Sequence, residues 1–118
     1  MDIKTFEERL KEWNVPFAVI ADLDTGDTIR VGSSVGLGFD DLENTLFRDA
    51  ETVFATGRSL EGQILPRNWS QGDVSCFVCK PNDKKVVGLF CKDQRNPVEK
   101  YHWSKQLDSG VVDVFAHT

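Results

Sequence analysis

The sequence predicts an α+β fold: a single five-stranded antiparallel sheet, order 2-1-5-4-3, with helices on both faces. Three observations carry this. Three segments place apolar residues at helical spacing. Five others read as strands, and three of those are apolar on both parities. Two pairs of strands are joined by short turn sequences, Asp24-Thr25-Gly26-Asp27 and Pro81-Asn82-Asp83-Lys84. A strand apolar on both parities is covered on both sides and sits inside a sheet. A strand with a polar or weak parity belongs at an edge. The chain order α-β-β-α-β-β-β-α then gives the spatial order second, first, fifth, fourth, third. Three amphipathic helices are available to cover the two faces.

The first helix carries Ile3, Phe6, Leu10 and Trp13 on one stripe. Asp2 can cap it, and Pro16 prevents its continuation. Phe17 to Leu23 is apolar except for Asp22, which marks either the strand end, the favoured reading, or a buried hydrogen-bonded site. After a turn centred on Gly26, Ile29 and Val31 alternate with Thr28 and Arg30, a strand with one wet face. The connection Gly32-Ser33-Ser34-Val35-Gly36-Leu37-Gly38 leads into a second helix, expected over 40–56. Asp40 and Glu43 have capping-box spacing. Leu42, Leu46, Ala50 and Val53 form its stripe, Phe47 and Phe54 lie at the stripe's edge, and Gly57 can end it in a left-handed conformation. Leu60, Gly62 and Ile64 share a parity, so 60–65 reads as the third strand, weakened by Gly62 and Pro66 and therefore an edge. Strands 74–80 and 86–92 follow. The last helix has Asn96 as cap, Pro97 in first place and Glu99 in third, with Trp103, Leu107, Val111 and Val114 as its stripe. Ser109-Gly110 can bend or interrupt it.

The 118 residues suit a single domain, 1–118. With 40% hydrophobic and 28% charged residues, the composition excludes intrinsic disorder. The N-terminus has no apolar h-region, and no apolar run reaches the ~18 residues of a membrane span. A cytoplasmic protein with no membrane insertion is expected. A net charge of -5 disfavours nucleic acid as a partner. The charge is uneven: residues 40–61 hold six acids against two arginines, and residues 80–105 hold seven cations against three acids. Such asymmetry can steer a partner or a second copy, or simply mark two solvated faces.

No motif completes a catalytic or cofactor site. A phosphate loop needs a lysine after its last glycine, and Gly38 is followed by Phe39. The helix start beyond it carries Asp40, Asp41 and Glu43, which repel phosphate. Cys76, Cys79, Cys91 and His102 count to four metal-type ligands, but residues three apart on a strand point to opposite faces. Buried small hydrophobes are the better reading of these cysteines. His102 and His117 define no catalytic pair. Arg67-Asn68-Trp69-Ser70, read as a loop, offers hot-spot residue types, with Trp69 either exposed or folded over the sheet edge. Its glycosylation pattern is discounted without a secretory signal. No catalytic residue, metal ligand or cofactor is therefore expected.

The stretch Phe17-Ala-Val-Ile-Ala-Asp-Leu-Asp-Thr-Gly-Asp-Thr-Ile-Arg-Val-Gly32, directly after an amphipathic helix, resembles the roadblock/LC7 family within the profilin-like, longin-related group. The resemblance rests on element order and spans essentially the whole chain. It implies a non-catalytic dimeric scaffold, with regulation of a small GTPase among its roles, that pairs its second helix and third strand across a two-fold axis. On this sequence those positions fall at 40–56 and 60–66. The candidate partner-binding residues are Phe47, Glu51, Phe54, Ile64, Arg67 and Trp69. Phe47 and Phe54 have the alternative of widening the core face. The expected partner is a second copy of the chain, another protein such as a small GTPase, or both. The rival readings are a small-molecule-sensing module of PAS or GAF type, and a small thiol enzyme using Cys79 or Cys91 with a histidine.

Overall fold

Alternate residues of a strand face opposite sides, so the three two-sided strands divide the interior into two cores, one on each side of the sheet. A computed structural model describes residues 2–92 and 95–116. It contains α1 (Ile3–Glu12), β1 (Phe17–Asp22), β2 (Thr28–Gly32), α2 (Asp40–Phe47), α3 (Ala50–Ser59), β3 (Arg67–Gln71), β4 (Val74–Asn82), β5 (Lys85–Lys92) and α4 (Pro97–Ala116). All pairings are antiparallel and the sheet order is β2-β1-β5-β4-β3, as the patterning predicts. On one side, Ala18, Ile20, Phe77, Val87 and Leu89 meet Phe6 and Leu10 of α1 and Leu107 and Val111 of α4. On the other, Phe17, Val19, Val78, Val86 and Phe90 meet Phe39, Leu42, Leu46 and Phe47, with Val53 of α3. No helix among the described residues is long and apolar enough to cross a membrane.

The ends of α1 and α4 follow their sequence signals. The Asp2 side chain accepts from the Lys4 amide at 3.1 Å. Asn96 accepts from the Glu99 amide at 2.9 Å, and its own amide group donates to the Glu99 carboxylate at 2.8 Å. Asp22 closes β1. It accepts from the amides of Asp24 and Thr25 at 2.7 and 3.2 Å and pairs with Lys85 at 3.0 Å. The Lys85 bond, then the turn amides, hold its carboxyl below the ordinary value of 3.8. A depressed folded pKa means the contribution is present at neutral pH and lost as pH falls from 3.8 through the folded value. Replacing Lys85 by Met should raise the Asp22 pKa towards 3.8, read by carboxyl NMR titration.

Six expectations are corrected. The second helix is two helices, because Asp49 turns extended (φ -153°, ψ -179°) and starts α3 with a reciprocal cap. Its carboxylate accepts from the Thr52 amide and the Thr52 hydroxyl accepts from the Asp49 amide, both at 2.9 Å. Asp40 is no cap; Phe39 holds that position without a side-chain bond, and Glu43 pairs instead with Arg30 at 3.2 Å. Gly57 does not end a helix. It lies within α3 where a Cβ would come 2.6 Å from Leu23. Ser109-Gly110 does not interrupt α4, since Gly110 serves close packing, with a Cβ there 2.4 Å from the Trp13 ring. The third strand is 67–71 rather than 60–65, because Gly72 (φ +64°) and Asp73 form a two-residue hairpin turn that registers Gln71 on Val74. Ile29 also departs from its expected inward face and is 52% exposed at the sheet edge.

Candidate interaction surface

The glycine-rich connection delivers a core residue rather than a ligand loop. Gly36 and Gly38 turn with φ of +71° and +76°, and Phe39 behind them is fully buried. Its ring lies 6.4 Å from Phe17 and 5.7 Å from Phe90. Cys76 belongs to the α2/α3 side of the sheet and Cys79 to the α1/α4 side, so one ion cannot bind both. Burial pushes both thiols well above their ordinary value, and Asp108 beside Cys79 adds to its shift. Both should therefore label with a thiol reagent only at the rate of global opening. Prompt labelling of folded protein contradicts this. His102 is exposed and edge-on to Tyr101; His117 lies outside the described residues.

The surface expected to meet a partner is assembled from α3, the segment after it, and β3. Phe47 leaves it. The ring is 1% exposed, packs edge-on to Phe90 at 6.2 Å and sits over Gly88, where a Cβ would be 2.5 Å away. It is core, because α2 ends here and turns its last residue inward. Phe54 is half-buried one turn into α3. Its ring borders a shallow depression of about 290 Å³ with Leu23, Gly57, Arg58 and Lys80. Glu51 is exposed in the first turn of α3, where its charge suits the helix dipole.

Ile64, Arg67 and Trp69 gather at the other end of α3. Leu65 packs inward beside the α2/α3 core, which leaves Ile64 turned out and 80% exposed. Arg67 donates to the Ser59 carbonyl at 3.1 Å, filling one of the open acceptors at the end of α3. Its guanidinium also lies 4.9 Å from the centre of the Trp69 ring. Trp69 stands opposite Cys76 in the β3–β4 ladder and packs partly against the α2/α3 core. Among the described residues no strand pairs with the outer side of β3, so it presents alternate backbone N–H and C=O groups outward. Asn68, Ser70 and Gln71, not among the candidate partner-binding residues, complete that edge; the Gly72-Asp73 turn is the sequence signal for the strand they belong to.

The architecture matches that of Myxococcus xanthus MglB, with a TM-score of 0.60 at 14% sequence identity over 94% of this chain and 91% of that chain. No protein-family model matches the sequence, and no curated protein matches it. The likeness is one of fold: a roadblock-like α+β domain with the sheet order 2-1-5-4-3.

Proposed function

We propose that this chain is a non-catalytic interaction module that dimerises through β3 and the adjoining flank of α3 and serves as the regulatory partner of a small GTPase. The observation that carries the reading is the open edge of β3, with Arg67 and Trp69 held rigid on one side of it and Ile64 projecting beside it. The roadblock-like fold shared with MglB supports it. So does the burial of Cys76, Cys79 and Cys91, which withdraws the thiols from chemistry. A two-fold axis at Trp69 sets Arg67 against Gln71 of the second copy and joins two five-stranded sheets into one. Glu51 and Phe54, at the far end of α3, are then left for the second protein.

Sedimentation at micromolar concentration tests the first half. The expected result is a dimer, with Ile64→Asp weakening it at least about tenfold, since a buried carboxylate meets no partner there. A strict monomer contradicts the reading. For the second half, calorimetric titration with a small GTPase should give an affinity that differs between its GDP and GTP-analogue forms. Equal affinities contradict regulation.

A further inference from the structure

The sheet has a second open edge. β2 pairs with β1, and among the described residues no strand pairs with its other side. The Asp22 amide donates to the Asp27 carbonyl at 2.8 Å and the Ser33 amide to the Pro16 carbonyl at 3.0 Å. The odd-numbered residues from 27 to 33 therefore bond towards β1, and the backbone N–H and C=O of Thr28 and Arg30 point outward. Val31 lies in the α1/α4 core, so alternation puts Ile29 and Asp27 on that same side of the sheet and Arg30 on the other, with Glu43. α1 covers Val31 but not Ile29, which is 52% exposed. A charge on an edge strand ordinarily discourages pairing. Here the Arg30 guanidinium is drawn back onto Glu43 at 3.2 Å and the Thr28 hydroxyl at 3.0 Å, clear of the outward backbone groups.

Charge shows what fits this edge. A step of about 100° per residue puts Lys4, Glu7 and Lys11 on the flank of α1 beside β2, opposite the flank that sends Arg9 to Asp113 and Trp13 to Gly110. Glu8 points to solvent, and Glu12 is held by Arg9. Glu7 and Lys11 line a depression of about 330 Å³ over Val31 and Gly32. Among the described residues Lys4, Glu7 and Lys11 make no ion pair, and neither does the Asp27 carboxylate. The flank is thus basic, while the turn that leads into β2 carries Asp24 and Asp27, both exposed. A second β2 laid antiparallel brings its own acidic turn to the Lys11 end of that flank.

We propose that the β2 edge is a self-association surface on which two copies of this chain pair their β2 strands antiparallel about a two-fold axis at Ile29. In this register Ile29 packs on Ile29 of the second copy in the close, non-hydrogen-bonded position. Thr28 and Arg30 exchange backbone bonds with Arg30 and Thr28 of the second copy. Val31 stands opposite Asp27 of the second copy, which sets that carboxylate in the depression beside Lys11. Each of these contacts occurs twice. Arg30 faces Thr28 of the second copy rather than a cation. Near the axis the two Lys4 and two Glu7 are equal in number and opposite in sign. Asp40 and Asp41, exposed at the start of α2, belong to the other face and enter neither pair. β2 and β3 are the two opposite edges of the sheet, so this contact is separate from the β3 contact. Together the two continue the sheet into assemblies larger than a dimer.

The test is sedimentation from low to high micromolar concentration in an Ile64→Asp background, which weakens the β3 contact. That protein should still self-associate. Adding Ile29→Lys, at an exposed edge position, should raise its dissociation constant at least about tenfold with unchanged circular dichroism. Adding Lys11→Glu instead should also weaken association, and Asp27→Lys on top of it should restore it, because the charge pair is then reversed but intact. The inference is overturned if the Ile64→Asp protein is monomeric throughout, if Ile29→Lys and Lys11→Glu leave association unchanged (another molecule then being the occupant of this edge), or if the double reversal fails to recover it. The β3 reading fails on a different result, an Ile64→Asp substitution that leaves the assembly of the otherwise wild-type chain unaltered.

Discussion

Replacing Phe47 by alanine should lower the stability of the fold by about 3–5 kcal/mol. The ring is at the centre of the α2/α3 core, in contact with Phe90 and filling the space over Gly88. Neither neighbour can follow it. Gly88 is fixed in a central strand between β1 and β4, and Phe90 is held by Phe17 and Phe39. Truncation therefore leaves a cavity rather than a collapsed core. Urea unfolding should show a lower midpoint with an unchanged slope, the signature of lost native packing. Phe54→Ala is the comparison. That ring is only half-buried, so its loss should cost clearly less. Equal losses at the two positions would contradict the placement of Phe47 inside and Phe54 at the rim.

Gly26→Ala should cost about 2–5 kcal/mol, from two independent sources. The residue turns the β1–β2 hairpin with φ +80°, a conformation that strains any side chain. Its missing Cβ is also where α3 begins, since an added methyl would lie 2.4 Å from the Ala50 Cβ and 2.7 Å from the Ala50 Cα. The second contact is to backbone, so relief requires moving the start of α3, which the Asp49–Thr52 cap fixes. Gly36→Ala separates the two sources. Gly36 has φ +71° with nothing within 4 Å of the added atom, so it should cost only the conformational part, about 1–2 kcal/mol. Thermal unfolding of the two variants side by side measures the difference. Indistinguishable melting temperatures would contradict the close approach of turn and helix.

Sheet order was legible because it depends on which strands are covered on both sides, and two-sidedness is written directly in the residues 17–21, 74–79 and 86–91. The path between β2 and β4 was harder to read. Leu42, Leu46, Ala50 and Val53 keep helical spacing straight through Asp49, so periodicity alone shows one helix where the backbone makes two. The cap that breaks it is a local competition, a carboxylate four residues short of Val53 bonding its own chain. Ala50, placed in the stripe, is exposed as a result. β3 was missed for a related reason. Arg67–Gln71 is polar at nearly every position, because an edge strand buries only the side chain facing the core, here Trp69. Hydrophobicity is silent on such a strand, and only turn chemistry marks it. Ile64, Arg67 and Trp69, candidates on residue type and position in the chain, lie near one another beside the end of α3. The structure adds what sequence could not show: the bond from Arg67 to Ser59 and the stacking over Trp69 that tie them to α3.

The claim that β3 is a pairing edge is tested most directly by amide hydrogen exchange across residues 64–71 as the protein is taken from dilute to concentrated solution. Pairing of two β3 strands predicts that amides of Arg67–Gln71 facing outward exchange fast when dilute and slow down together as the dimer forms. Exchange in this strand that is the same at both concentrations, with the edge open throughout, would contradict it.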